Sequence, residues 1–139
     1  MPITFVPATG QVLMCDFDSA GFQRPEMIKQ RHCVVVSPRY RRHTGCYLIV
    51  PFSTVRPYFV EKYHYMICAN KYPCFDRDTE VWAKTDMVTH VGPGRLDRVL
   101  EHGARCKRIL DLTDIKGIKT ALLHALGFPD LANKFSFGA

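Results

Sequence analysis

The chain has 139 residues, 47% of them hydrophobic and 23% charged, which suits one folded unit with a single core and argues against disorder. Nineteen lysines and arginines against thirteen acids leave a net charge of +6, a bias suited to nucleic acid or another anionic surface. No apolar run approaches the roughly 20 residues of a membrane-spanning helix, so no membrane partner is expected.

Gly10 precedes a first expected strand, Gln11 to Phe17, and Asp18-Ser19-Ala20-Gly21 follows it as a turn or loop. A second strand, His32 to Ser37, is stopped by Pro38, and the basic cluster Arg39, Arg41, Arg42 and His43 falls in the loop beyond it. Cys46 to Phe52 is a third strand of mostly β-branched and aromatic residues. Pro57 argues against its continuation. Tyr63 to Cys68 is a fourth, the polar stretch 70–79 a loop, and short strands are expected at Val81–Lys84 and Met87–Val91 before Gly92-Pro93-Gly94 breaks the chain. Ile109 to Leu112 reads as a last strand. Thr113 or Asp114 then caps a helix whose apolar residues Ile115, Ile118, Leu122 and Leu126 recur at three and four, with Gly127 ending it and Pro129 beyond. About six short strands closed by one amphipathic helix predict a mainly β protein, a small antiparallel β-barrel or sandwich with a C-terminal helix packed on it. One domain is expected over 1–139, with its core at about 9–128 and a tail at 129–139.

The start, Met1-Pro2-Ile3-Thr4-Phe5, lacks the basic and apolar regions of a signal peptide, so a reducing cytoplasm is expected for the six cysteines. Cys15, Cys33 and Cys46 fall in or beside apolar runs, where a thiol behaves as a small hydrophobe, and no C-x-x-C pair exists. A cysteine and histidine metal module would need ligand spacing that these residues do not show, so neither metal nor cofactor is expected.

Glu26 and Arg31 stand five residues apart immediately before the run Val34-Val35-Val36, and Ser53-Thr54 end the run Tyr47 to Phe52. Acid, cation and hydroxyl therefore sit where chain enters or leaves a strand, where a rigid scaffold presents chemistry. By themselves Glu26 and Arg31 read equally as an ordinary ion pair, and Ser53 as a turn-forming hydroxyl. The histidines His32, His43, His64 and His90 offer an alternative acid–base pair for phosphodiester cleavage, with His32 first because it adjoins Arg31. Tyr40, Tyr58, Phe59 and Tyr63 interleave with Arg39, Arg41, Arg42, Arg56 and Lys62, the pattern of a basic groove with stacking platforms; of the aromatics, Phe59 and Trp82 are expected in the core.

Across residues 9 to 128 the chain resembles the PemK/MazF family of toxin ribonucleases from type II toxin-antitoxin systems. The likeness is carried by Gly10-Gln11-Val12, by Glu26-x4-Arg31 leading into Val34-Val35-Val36, and by Val50-Pro51-Phe52-Ser53-Thr54. Trp82-Ala83-Lys84-Thr85-Asp86-Met87, Arg95-Leu96-Asp97-Arg98 and Leu126-Gly127-Phe128 add to it in the same order. The resemblance implies an SH3-like barrel and metal-independent cleavage of single-stranded RNA by 2′-hydroxyl attack, leaving a cyclic phosphate. It also implies a homodimer, inhibition by a cognate antitoxin protein, and DNA binding together with that antitoxin. The family's glutamate, arginine and threonine fall on Glu26, Arg31 and Ser53, the expected catalytic residues. Substrate contacts are expected from Lys29, His32, Thr54, Arg39, Arg41, Arg42 and Arg56. The chain departs from the family in having His32 where proline is usual, serine in place of threonine, and a different loop from Asp18 to Pro25. A non-catalytic nucleic-acid-binding β-barrel is the competing reading.

Overall fold

Three apolar runs become the middle of the sheet because each is buried on both faces. They are β1 (Gln11–Asp16), β2 (Gln30–Val35) and β3 (Tyr47–Ser53) in the computed structural model, which describes residues 2–18, 29–39 and 45–134. Val12, Val34, Val50 and Phe52 enter one core cluster, while Leu13, Cys15, Cys33, Val35 and Ile49 enter a second. That split is the period-2 alternation of a strand with apolar side chains on both sides. Ile118 of the C-terminal helix, together with Ile115, covers the first cluster; Ile3, Phe5 and Val6 cover the second, tied down by the Ile3 N–H donating to the Leu96 carbonyl at 2.9 Å.

The remaining strands are β4 (His64–Ile67), β5 (Val81–Lys84), β6 (Thr89–Val91), β7 (Leu96–Glu101), β8 (Ala104–Cys106) and β9 (Arg108–Ile109). Their order is β4-β5-β3-β2-β1-β7-β8, with β6 also on β3 and β9 also on β1, and every pair is antiparallel. The expected mainly antiparallel architecture with a C-terminal helix is present. The sheet stays open, however, because the hydrogen-bonded path ends at β4 and β8 rather than closing into a barrel among the described residues.

Three departures from the sequence reading have local causes. The hairpin β7–β8 is not anticipated by it. Its turn is His102-Gly103, both at positive φ (53° and 82°), as a two-residue type I′ connection requires, and histidine there is a weaker signal than asparagine or aspartate. Helix α1 (Leu112–Ala125) starts earlier than expected: Asp111, not Thr113 or Asp114, is the N-cap, accepting the Asp114 N–H at 2.8 Å. Leu112 is therefore helical and β9 ends at Ile109. A short helix α2 (Pro129–Lys134) with buried Ala132 occupies the expected tail. Gly127 ends α1 as foreseen, at φ 84°, with its own N–H and that of Phe128 closing onto His124 and Leu123 carbonyls, but Leu126 is exposed rather than packed.

A buried carboxylate fixes α1 to the sheet. Asp114 accepts the Tyr65 hydroxyl at 2.7 Å, the Tyr72 hydroxyl at 2.5 Å and the Lys71 ammonium at 3.3 Å. Burial, and then the neighbouring carboxylate, raise both phenols and keep them protonated donors. With its ring held this way, Tyr65 lies where a Cβ on Gly117 would fall, its Cε1 and Cζ overlapping that position. Alanine in place of glycine inside a helix ordinarily stabilises by about 1 kcal/mol. Gly117→Ala is expected to do the reverse, lowering stability by about 1–2 kcal/mol because overpacking against an anchored ring outweighs the propensity gain. Urea denaturation measures the sign, and a raised midpoint would show that the ring moves aside freely.

Candidate active site

The β2–β3 ladder pairs Val35 with Ile49, Val34 with Val50 and Cys33 with Pro51. The ladder stops there, two residues short of Arg31 and Ser53, which are 22 residues apart in the chain. They line one cleft of about 200 Å³ at the strand ends, with Gln30, His32, Phe52, Thr54, Phe75 and Val81 around them. Ser53 is only 6% exposed, and its Oγ accepts the Val55 N–H at 3.1 Å, which bends the chain out of β3. A hydroxyl that accepts one bond still has its O–H to donate. Thr54, next along, is exposed.

His32 forms part of the cleft wall rather than an outlying surface group. Its ring lies 5.1 Å from that of Phe75, which meets Phe52 edge-on at 5.5 Å and Tyr72 at 6.2 Å. Burial lowers the imidazole pKa, and the hydrogen bond to the Cys74 backbone and the charge of Asp76 only partly oppose this. At neutral pH the group is uncharged, so it adds packing and polarity to the cleft but no positive charge.

The other expected residues are placed variously. Glu26 lies outside the described residues, as do Arg41, Arg42, His43 and Tyr40. Lys29 is exposed at φ 71°; its amide donates to Asp18 Oδ1 at 2.6 Å and its carbonyl accepts the Phe17 N–H, so the chain leaving β1 is joined to the chain entering β2. Arg39 is exposed beyond the far end of β2 and is not brought to the cleft. Arg56 lies beside it: Ser53 pairs with Trp82 across β3–β5, and the Arg56 guanidinium stands 5.6 Å over the Trp82 ring while bonding Glu80 at 3.2 Å. Trp82 is buried as expected, its N–H donating to Glu80 at 3.0 Å, whereas Phe59 is 72% exposed and not in the core. Tyr58 and Phe59 stack edge to face at 4.7 Å on the surface of the β3–β4 connection. Gln30 and Phe75 are not singled out by the sequence, and Phe52 is marked there only as the strand residue before Ser53; Gln30 carries a signal in being adjacent to Arg31.

No group of three or more histidines, cysteines or acids that could hold a metal ion occurs among the described residues. No helix among them is long and apolar enough to cross a membrane.

A family model described as PemK-like, MazF-like toxin of type II toxin-antitoxin system matches residues 8–126. YifN of Escherichia coli (strain K12) is 28% identical over 152 residues, covering 96% of this chain and 100% of that protein. Among solved structures, an endoribonuclease in complex with its cognate antitoxin from Mycobacterial species matches with a TM-score of 0.63 at 23% identity, over 88% of this chain and 97% of that one. MazF from Deinococcus radiodurans matches with a TM-score of 0.64 at 17% identity, over 88% and 98%. At these identities the structural matches speak for the fold.

The half-buried imidazole makes this end of the sheet pH-sensitive. Because the folded His32 pKa lies below the ordinary 6.5, the unfolded chain binds the proton first on acidification. Stability from this group is complete above about pH 7 and falls as pH drops through 6.5 toward the folded value. Melting curves from pH 8 to pH 5 should show the wild type losing stability relative to His32→Gln as acid is added; parallel curves would mean that the imidazole is not held neutral.

Proposed function

The chain belongs to the family of PemK-like, MazF-like toxins of type II toxin-antitoxin systems, and from that premise we propose that it is an endoribonuclease cutting single-stranded RNA without a metal. The observation that carries the reading is the meeting of Arg31 and Ser53 in one cleft at the ends of β2 and β3. In this reaction the ribose 2′-oxygen bonds to the adjacent phosphorus as the bond to the 5′-oxygen breaks. The products are a 2′,3′-cyclic phosphate and a free 5′-hydroxyl. A base takes the 2′-proton, charge growing on the phosphoryl oxygens is neutralised, and a proton reaches the leaving oxygen.

Arg31 serves the second demand, since a planar guanidinium bonds two phosphate oxygens at once. Ser53 presents its O–H to a phosphoryl oxygen, one of its two acceptor lone pairs being engaged by the Val55 N–H. Glu26 is the base, three residues before Lys29 on the segment entering β2. The neutral His32 imidazole forms the wall against which the nucleotide lies, and exposed Thr54 adds a hydroxyl at the mouth. The exposed Tyr58–Phe59 pair, flanked by Arg56 and Lys62, offers a stacking surface for unpaired bases. Family membership further supports a homodimer inhibited by a cognate antitoxin and acting on RNA in the cytoplasm. Light scattering at micromolar concentration should give the mass of two chains.

Purified protein with single-stranded RNA in excess chelator should yield new ends carrying cyclic phosphate, while a strand with 2′-deoxyribose at the cut position stays whole. Arg31→Ala should lower the cleavage rate by about 10²–10³-fold and Ser53→Ala by about 10-fold, with melting temperatures near the wild type. Salt-sensitive binding without cleavage would favour the non-catalytic barrel instead, and cleavage at the wild-type rate by Arg31→Ala would remove the assignment.

A further inference from the structure

A second, larger cleft of about 410 Å³ adjoins the Arg31–Ser53 cleft, and Gln30 and His32 line both. Its outer wall is the β7–β8 hairpin, which contributes Arg98 and Arg105, with Arg95 just before β7. The hairpin stands where it does because β7 pairs with β1 through Met14–Asp97 and Cys15–Leu96, and β1 pairs with β2 through Met14–His32. Asp97, Met14 and His32 thus form a row across three strands leading from the arginines to the first cleft.

The charges in this cleft do not cancel. Asp97 is matched by Arg105, whose Nε lies 3.3 Å from Oδ1 and whose Nη2 lies 3.1 Å from Oδ2. Burial pushes the Asp97 carboxyl up, but hydrogen bonds led by the Arg105 guanidinium outweigh it and bring the pKa down to about 2. Asp16 also lines the cleft, its Oδ1 accepting the Asp18 N–H at 3.0 Å. Arg95 and Arg98 make no ion pair among the described residues. Arg98 is instead fixed in direction by the Phe5 ring, 4.7 Å from its guanidinium carbon, and Arg95 has Nη1 buried with no hydrogen-bond acceptor. Arg98, oriented by Phe5, and Arg95, neither engaged in an ion pair among the described residues, make the wall of this open cleft a site for an anion with several acceptor oxygens.

We propose that this cleft is a second phosphate subsite, in which Arg95 and Arg98 hold a backbone phosphodiester of the strand whose scissile phosphate occupies the Arg31–Ser53 cleft. The inference rests on the RNA reading above and extends it along the strand. β7, β1, β2 and β3 are consecutive neighbours, so at a spacing of about 4.8 Å the two subsites are about 14 Å apart, more than one nucleotide. Arg105 keeps the hairpin in place through Asp97 rather than touching the strand. The subsite would let the protein grip RNA away from the cut and so favour strands extending past it on that side.

The test measures binding of a fluorescent single strand with 2′-deoxyribose at the cut position, across a range of salt concentrations, for the wild type, Arg95→Gln and Arg98→Gln. Arg98 is exposed, so its variant leaves the core intact even if Arg95→Gln proves unstable. Each variant is expected to bind about 3- to 10-fold more weakly at 0.15 M salt and to lose about 0.7 from the slope of log affinity against log salt, the value for one phosphate contact on a single strand. Replacing one phosphodiester at a time by an uncharged methylphosphonate should locate a position, separate from the scissile one, whose neutralisation weakens the wild type but not Arg98→Gln. Unchanged affinity and slope in Arg98→Gln, with RNA cleavage by the wild type retained, would overturn the subsite and leave the nuclease reading standing. Loss of inorganic phosphate binding in Arg98→Gln with strand affinity unchanged would overturn it in favour of a free anion. Absence of RNA binding by the wild type would remove both.

Discussion

The register of β2 between β1 and β3 is the constraint on which the site depends. Val34 is committed to one core cluster and Cys33 and Val35 to the other, so a slip by one residue would exchange the two sets and disturb both cores at once. Fully burying a valine-sized side chain is worth about 1.5–3 kcal/mol, and several are at stake on each face. This packing fixes the start of β2 beside the end of β3, so that Arg31 and Ser53 line one cleft. The catalytic geometry is thus a by-product of core burial a few residues away, and the polar residues need supply none of the energy that places them.

What surrounds the cleft trades stability against access. Ser53 and His32 are both largely withdrawn from water, one closing a turn and the other packed on Phe75, so their positions are set before any ligand arrives. A group fixed in this way loses little freedom on binding, which is the advantage of placing chemistry at strand ends rather than on a free loop. The cost falls on the imidazole, which is held uncharged. The helix α1 is fastened by the Asp114 carboxylate and its two tyrosines, of which Tyr72 also meets Phe75 of the cleft wall. Helix anchoring and the cleft draw on different polar groups.

The positive charge of the chain is distributed with more purpose than its net value suggests. Arg56 is occupied by Glu80 and Trp82, Arg105 by Asp97, and Arg108 by Glu101 through two bonds of 2.7 Å and 2.6 Å. Partially exposed pairs of this kind stabilise little, but they remove charge from the surface potential. Arg95 and Arg98, without an ion pair among the described residues, lie along the row that leads to Arg31.

Much of this was legible in the residues. Unbroken apolar runs bounded by glycine, proline and turn formers located β1, β2 and β3, and Gly127 marked the end of α1, because burial on two faces and left-handed backbone leave plain signatures. The hairpin β7–β8 did not show itself, since His102-Gly103 is an uncommon version of its turn, and the cap at Asp111 was hidden by two equally good candidates just after it. At the site, residue chemistry raised Arg31 and Ser53 as candidates beside an ordinary ion pair and a turn hydroxyl, and the resemblance to the PemK/MazF family chose them. Only pairing of distant strands brought them to one cleft, set His32 and Phe75 into its wall, left Arg39 beyond the opposite strand end and gathered Arg98 and Arg105 of the β7–β8 hairpin, with Arg95 just before it, around a second pocket. Sequence determines what each stretch prefers to be, because propensity and periodicity are local; which charges meet is decided by register and packing, which exist only once the chain has folded.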